Sequence, residues 1–141
     1  MAKQLSVFIE NRKGRLGEVL GVLKENDINI VSLSLADTTE YGLLRLIVSD
    51  PQEAQKILTA AGFSAMLTSV LVVKIPHKAG SLQGILETLS KNGYNIEYMY
   101  GLSIVGETAS IVMKVSDYDG VKNLLDKMGI ARIKTAEIAK L

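Results

Sequence analysis

Apolar and polar residues alternate near the N-terminus of the chain, with apolar side chains at Leu5, Val7 and Ile9. This alternation is typical of a strand that buries one face. The apolar residues that follow have the three- and four-residue spacing of an amphipathic helix: Leu16, Val19, Leu20 and Leu23. The pattern therefore predicts a strand, a short loop and a helix within the first 25 residues.

This pattern occurs twice in the chain. An offset of 66 residues places Leu5 on Leu71 and Gly14 on Gly80, and one inserted residue then raises the offset to 67. At the larger offset the tripeptide Val-Ser-Asp at 48–50 meets an identical tripeptide at 115–117. Many matches in the same order indicate an internal repeat. We therefore predict two homologous units, the first at residues 1–69 and the second at residues 70–141.

Each unit reads as strand, helix, strand, strand, helix, strand. Asp50 and Asp117 precede the second helices as capping residues, and a glycine follows each of these helices. Short final strands are predicted near residues 65–68 and 132–137. This order is that of the ferredoxin-like split βαβ unit. We therefore predict an α+β protein of two tandem ferredoxin-like βαββαβ units, each an antiparallel sheet with its helices on one face.

Composition excludes several function classes. The formal net charge is +1, which gives nucleic acid or an anionic membrane no overall attraction, and no apolar run is long enough to span a membrane. The chain has no cysteine and neither nucleotide-binding glycine motif, so we expect no metal site and no cofactor. The N-terminus does not resemble a signal peptide, and we expect a cytoplasmic location.

No set of residues with catalytic chemistry is evident. His77 is the single histidine and has no cysteine or second histidine to act with. Asp117 and Asp119 could be an acid–base pair, but a role as helix-cap aspartates explains both better, since Asp50 caps the equivalent helix. We therefore expect a protein that is not an enzyme.

The loops before the first helices are the best candidates for a binding site. In each loop a glycine lies two residues before the leucine that begins the helix, Gly14 before Leu16 and Gly80 before Leu82. Backbone N–H groups at a helix start have no partner within the helix and favour a negative group, phosphate or carboxylate. The glycines could instead serve only a tight turn between strand and helix. The residues alone leave both explanations open.

At these loops the sequence resembles the ACT domain, a small amino-acid-sensing module. Its usual opening is Asp or Asn, two residues, Gly, one residue and Leu, followed by a helix and a second strand that begins with Gly, one residue, Asn and Ile. The first copy matches at Asn11, Gly14, Leu16, Asn29 and Ile30, and the second matches at Gly80, Leu82, Asn95 and Ile96. The second copy departs from the motif at its first position, where His77 replaces the usual Asp or Asn. Lys13 and Ala79 stand where a proline is often found, and the turn before Asn29 in the first copy is Asn-Asp-Ile, without the usual glycine.

The resemblance implies that a free amino acid binds where the helix-start loop of one unit faces the second strand of its neighbour. Loop N–H groups would hold the carboxylate, and a side chain such as Asn11 would help to hold the ammonium group. The residues that the resemblance assigns to ligand binding are Asn11, Arg12, Lys13, Gly14, Arg15, Leu16, Asn29 and Ile30 in the first copy, and His77, Lys78, Ala79, Gly80, Ser81, Leu82, Asn95 and Ile96 in the second.

Three function classes follow. Because the two units account for all 141 residues, we expect a stand-alone sensor that binds an amino acid and regulates amino-acid metabolism. An alternative is a dissociable regulatory or structural subunit of a separate biosynthetic enzyme, with no ligand of its own. The third class is an enzyme with an unrecognised site.

A homodimer is also expected, because the sheet faces away from the helices carry apolar residues. These positions are Phe8, Arg45 and Ile47 in the first unit and Val72, Val112 and Lys114 in the second. A face that is largely apolar should not be left in water, and packing against a second copy would cover it.

Overall fold

A computed structural model of the protein describes residues 2–37 and 40–138. The chain divides into two compact units. The N-terminal unit comprises Lys3–Thr68 together with Thr135–Leu141, and the C-terminal unit comprises Ser69–Lys134 together with Met1–Ala2.

Three strands and two helices make up most of the N-terminal unit. They are β1 (Ala2–Glu10), α1 (Arg15–Glu25), β2 (Ile30–Asp37), β3 (Tyr41–Val48) and α2 (Pro51–Ala60). Strand β3 lies between β1 and β2 and is antiparallel to both, with Leu46 opposite Leu5 on one side and Leu33 on the other. The first part of β4 (Ser64–Pro76) also belongs to this unit, where the Gln55 side chain of α2 donates a hydrogen bond to the Ala65 carbonyl.

The core of the N-terminal unit lies between the strands and the two helices. Side chains at alternate positions of β1 and β3 meet the apolar stripes of α1 and α2, as the two periodicities require. The fully or almost fully buried residues of this core include Leu5, Val7, Val19, Leu23, Leu44, Leu46, Ala54 and Leu58. The alternation of strand residues and the helical spacing therefore selected the same core that the structure shows.

The C-terminal unit repeats this arrangement. Its elements are the second part of β4, then α3 (Ser81–Lys91), β5 (Ile96–Val105), β6 (Thr108–Val115) and α4 (Tyr118–Lys127). Strand β6 lies between β4 and β5 and is antiparallel to both, and its last residue, Val115, pairs with Ile96. Leu71, Val73, Met113, Val121 and Leu125 lie in the core of this unit. The predicted α+β fold of two ferredoxin-like units is confirmed.

The predicted aspartate caps are present in both units. The Asp50 carboxylate accepts a hydrogen bond from the Glu53 amide at 3.2 Å, and the Asp117 carboxylate accepts one from the Gly120 amide at 3.0 Å. Each satisfies one of the amides that a helix start leaves without a partner. The capping interpretation of Asp117 is therefore confirmed.

The strand predicted at 132–137 is wrong. Arg132 forms a single antiparallel bridge to Val73, and the chain then enters α5 (Thr135–Ile138). The bridge is held by two backbone hydrogen bonds, in which the Lys74 amide donates to Ala131 and the Ile133 amide donates to Val72. Alanine and glutamate in the residues that follow favour a helix and disfavour a strand, so pairing stops after one residue.

The expectation of two open apolar sheet faces is wrong for half of the six positions. Ile47, Val72 and Val112 are 1%, 1% and 0% exposed, so the chain itself shields them. Arg45 and Lys114 are partly exposed, and Phe8 keeps 49% of its surface in solvent. The sequence pattern identifies which residues point away from the helices, but it does not show whether another part of the chain covers them.

Candidate functional site

The two helix-start loops, residues 11–14 and 77–80, have the same backbone conformation. Gly14 has φ 86° and ψ −13°, and Gly80 has φ 87° and ψ −14°. Each carbonyl accepts the first hydrogen bond of its helix, from Glu18 at 3.1 Å and from Gly84 at 3.0 Å. Among the described residues no side chain caps either helix, so the amides of the first turn remain available to an anion.

The positive φ of both glycines explains their presence without a ligand. Residues with a side chain rarely adopt this left-handed conformation, so the turn alone requires glycine. A Cβ atom added at Gly14 or Gly80 would nevertheless meet no atom within 4 Å. The surface beside each glycine is thus open, and a ligand can approach the backbone there. The geometry supports the turn explanation and remains compatible with a ligand.

Each loop is joined by a backbone hydrogen bond to the neighbouring hairpin of its own unit. The Asn11 amide donates to the Glu40 carbonyl at 3.0 Å, and the His77 amide donates to the Glu107 carbonyl at 2.6 Å. Glu40 and Glu107 are equivalent positions of the repeat. In the C-terminal unit this bond belongs to the end of the β4–β6 ladder, where Pro76 pairs with Thr108.

At the N-terminal loop two arginines are paired with glutamates, whereas Lys13 has no ion-pair partner among the described residues. Arg12 Nε lies 2.7 Å from Glu10 Oε2, and Arg15 Nη1 lies 2.6 Å from Glu18 Oε2. The hydrogen bond and the charge of Arg12 lower the pKa of Glu10, and the same contact raises the pKa of Arg12. The guanidinium of Arg15 also lies 4.2 Å from the centre of the Phe63 ring, a cation–π contact.

The C-terminal loop has no such pairs. Within the described part of the chain, Lys74, His77 and Lys78 have no side-chain ion-pair partner. The first turn of α3 contains no acidic residue, because Gly84 occupies the position of Glu18. Beside the first two loop residues, His77 and Lys78, is a concavity of about 610 Å³ that is also lined by Lys74, Ile75, Pro76, Glu107 and Thr108. This loop therefore has cationic groups and space where the other has internal salt bridges.

One polar atom at the start of each helix is shielded from solvent and lacks a hydrogen-bond partner among the described residues. These atoms are Arg15 Nε and Ser81 Oγ, which belong to equivalent residues of the repeat. Arg15 is held through its other nitrogen by Glu18, whereas the Ser81 hydroxyl makes no contact of this kind. An unsatisfied hydroxyl at this position can act as donor or acceptor.

Within one unit the two parts of the predicted site lie at opposite ends of the sheet. Glu10, beside the loop, pairs with Tyr41 at the start of β3, whereas Ile30 pairs with Val48 at its end. Seven residues of extended strand separate these ends by about 23 Å. In the C-terminal unit Ile96 is likewise seven residues along β6 from the strand end that carries the loop. The structure therefore does not bring Asn29 and Ile30, or Asn95 and Ile96, to the loop of their own unit.

The sequence model of the ACT domain pair matches the chain over residues 1–141. The chain belongs to the ACT domain pair family. The solved structure of protein BT0572 from Bacteroides thetaiotaomicron is 37% identical, and the match covers 99% of this chain and 96% of that one at a TM-score of 0.94. Both observations concern essentially the whole chain, so the resemblance at the loops extends to both ACT units.

More distant structures share the fold of the ACT pair. The regulatory subunit of aspartate kinase from Thermus thermophilus is similar at a TM-score of 0.63 and 16% identity, over 89% of this chain and 91% of that one. The corresponding subunit from Thermus flavus gives the same TM-score at 18% identity, over 88% of each chain. A search of the curated proteins gives no match. Among the described residues no helix is long and apolar enough to cross a membrane.

The remaining predicted residues of the two ACT loops divide into exposed and packed positions. Lys13 and Ala79 are exposed at the loop tips, in positions where a ligand could contact them. Leu16 and Leu82 are partly buried and pack against the cores of their units. The leucine of the ACT motif thus has a structural role that does not depend on a ligand.

At the second strand of the N-terminal ACT unit, the predicted residues lie beside a separate concavity. Asn29 is exposed and its backbone pairs with Ser49, since its amide donates to the Ser49 hydroxyl and its carbonyl accepts from the Ser49 amide. A concavity of about 440 Å³ is lined there by Leu20, Leu23, Lys24, Asp27, Ile28, Asn29 and Ile30. The Asn95 carbonyl accepts the equivalent bond from Ser116 in the other unit. These positions therefore have a backbone role at the strand ends.

Sequence reasoning missed five residues of the C-terminal concavity: Lys74, Ile75, Pro76, Glu107 and Thr108. The signal was present in the antiparallel pairing of β4 with β6, which places the β5–β6 turn beside the loop that follows β4. Extending the predicted third strand back to Thr108 would have brought Glu107 to the site. Lys74 lies at a solvent-facing position of β4, three residues before His77.

Proposed function

We propose that this protein is a non-catalytic regulatory protein that binds a free amino acid, and that the C-terminal loop is a binding site. The match of the ACT domain pair to residues 1–141 carries this proposal, because the ACT unit is an amino-acid-sensing module. The conformation of both loops supports it, since each presents an open helix start beside a glycine. A carboxylate is the group that such a helix start favours.

Electrostatics favours the C-terminal loop over the N-terminal one. In α1 the carboxylate of Glu18 lies in the first turn, where it interacts with the helix dipole and is held by Arg15. In α3 this position is Gly84, and Lys78, which has no ion-pair partner among the described residues, lies in the loop before it. A ligand carboxylate therefore finds no acidic side chain in the first turn of α3, whereas one already lies in the first turn of α1.

The regulated target is proposed to be a separate enzyme of amino-acid metabolism. The protein from Thermus thermophilus that shares the fold is described as a regulatory subunit of aspartate kinase. The alternative is a regulatory or structural subunit that also associates with a partner enzyme but binds no amino acid itself. Amino-acid binding separates the two candidates, and affinity capture of a partner enzyme then tests the regulatory role.

Thermal unfolding with each of the common amino acids tests the ligand. We expect dissociation constants between micromolar and millimolar, because a sensor works near the concentration of its ligand pool. At a hundredfold excess over that constant the free energy of unfolding rises by about 2.7 kcal/mol. ATP and NAD should give no shift. A clear shift with either nucleotide and none with any amino acid would contradict the proposal.

The homodimer remains a prediction, but fewer exposed apolar residues support it than the sequence suggested. Three of the apolar positions that supported it are buried within the chain, and Phe8 is the one large apolar residue of that set that stays exposed. On β2 of the N-terminal unit, Leu33 and Leu35 are each 46% exposed and add apolar surface at an edge strand. Because these apolar residues are exposed, we propose a homodimer with twice the 15.3 kDa mass of the chain.

A further inference from the structure

The C-terminal unit has two adjoining concavities of opposite chemistry. The first is the concavity of about 610 Å³ beside the loop, with Lys74, Lys78 and Glu107 in its lining. The second has a volume of about 450 Å³, and its lining includes His77, Leu102, Ile104 and Ile111. His77 belongs to both linings, so the two concavities flank this residue of the loop.

The first concavity suits the groups that all amino acids share. Lys74 and Lys78 supply two cationic groups without an ion-pair partner among the described residues, and these attract a carboxylate. Glu107 supplies one carboxylate, which attracts an ammonium group. The amino and carboxyl groups of a zwitterion therefore find opposite charges within one concavity.

The second concavity suits an apolar side chain. Apart from His77, its lining has no residue that carries charge, and Leu102, Ile104 and Ile111 contribute aliphatic surface. A charged side chain placed there would lose water without gaining a counter-charge. An aliphatic or aromatic side chain would instead remove apolar surface from water on both partners.

We propose that the C-terminal unit selects amino acids with apolar side chains. The α-amino and α-carboxyl groups occupy the first concavity, and the side chain occupies the second, passing His77. This inference rests on the proposed function and adds the ligand class to it.

Calorimetric titration of the full chain tests the ligand class. Leucine, methionine and phenylalanine form the apolar series, and serine, aspartate and lysine form the polar series. We expect the best apolar ligand to bind at least about tenfold more tightly than any polar one, which is the discrimination that one or two methylene groups give in an apolar site. Tighter binding of aspartate, lysine or serine overturns the ligand class and leaves amino-acid binding intact. Absence of binding by every amino acid removes the proposed function as well.

Two exposed neighbours on β5 provide a matched pair of variants. Ile104 is 62% exposed and lines the second concavity, whereas Val105 is 69% exposed and lines neither. Ile104→Asn should weaken binding of the best apolar ligand about tenfold, and Val105→Asn should leave it within twofold. If both variants lose affinity equally, or if Ile104→Asn leaves the affinity unchanged, the side chain of the bound amino acid does not occupy the second concavity. Circular dichroism confirms that both variants fold, and the ligand series decides the class independently if one does not.

Discussion

The loops at 11–14 and 77–80 share a backbone and differ in their side chains. The glycines differ by 1° in φ and in ψ, and each loop amide donates to the equivalent glutamate carbonyl. Around the first loop, Arg12 and Arg15 are held by acidic residues of the same unit. Around the second, Lys78 has no such partner among the described residues, and the acidic residue of the first helical turn is replaced by Gly84.

The comparison separates what the fold requires from what a ligand requires. Both copies keep the glycine because the turn into the helix needs a positive φ. The charges around the turn are free to differ, since the fold does not depend on them. A repeated motif therefore establishes two similar turns, whereas the side chains beside the two turns differ.

The largest expected effect comes from reversing the charge of the C-terminal loop. Lys78→Glu should weaken amino-acid binding about tenfold to a hundredfold, because it removes a charge-assisted contact to the ligand carboxylate and adds repulsion. Titration calorimetry of the full chain with the amino acid that stabilises it best measures the change.

Lys56→Glu is the control for this variant. Lys56 is exposed on α2 of the N-terminal unit, and its replacement makes the same change in net charge at a residue that belongs to neither loop. Its affinity should stay within twofold of the unmodified protein. If both variants bind like the unmodified protein, the carboxylate does not bind at the C-terminal loop, and the contrast between the two loops has no functional meaning.

The second prediction concerns what the loops have in common. Gly14→Ala and Gly80→Ala should each lower the free energy of unfolding by about 1–2 kcal/mol, because a side chain disfavours the left-handed conformation. The two losses should be similar, since the two backbones are the same. Urea denaturation followed by circular dichroism measures both.

Gly17→Ala is the matched control for these glycine variants. Gly17 lies within α1, its φ is not positive, and an added Cβ would meet nothing within 4 Å. Alanine there should leave stability unchanged or raise it by up to about 1 kcal/mol. A neutral result for Gly14→Ala and a loss for Gly80→Ala would show that the loops differ in backbone as well as in charge.

Much of the fold was accessible from the sequence because it depends on local patterns. Alternation at Leu5, Val7 and Ile9 and the helical spacing that begins at Leu16 selected the correct core faces. Asp50 and Asp117 marked helix starts because their side chains bond to amides only three residues away. Each of these signals involves residues close together in the chain.

The features that were missed depend on contacts distant in sequence. Ile47 and Val112 alternate along their strands with core residues and are nevertheless buried, and no local pattern records what shields them. Glu107 reaches the C-terminal loop only through the register of β4 with β6. The different charge environments of the two loops depend on the salt bridges of Glu10 and Glu18 with the arginines, and the sequence alone does not show these contacts.

The smallest expected effect is a titration that only the N-terminal loop should show. The hydrogen bond and charge of Arg12 hold the pKa of Glu10 below its ordinary value of 4.5, and Arg12→Gln should return it toward that value. Carbon NMR of the Glu10 carboxyl group measures the shift.

Because the folded-state pKa of Glu10 is lowered, the contact with Arg12 stabilises the fold above the unfolded-state pKa, and this stabilisation is lost as pH falls through the folded-state pKa. Both side chains are more than half exposed, so salt should also reduce the shift. The C-terminal loop has Pro76 in place of Glu10 and cannot show this titration. If the pKa of Glu10 is the same with and without Arg12, the N-terminal loop is not neutralised by its own side chains, and the electrostatic contrast with the C-terminal loop is weaker than the distances indicate.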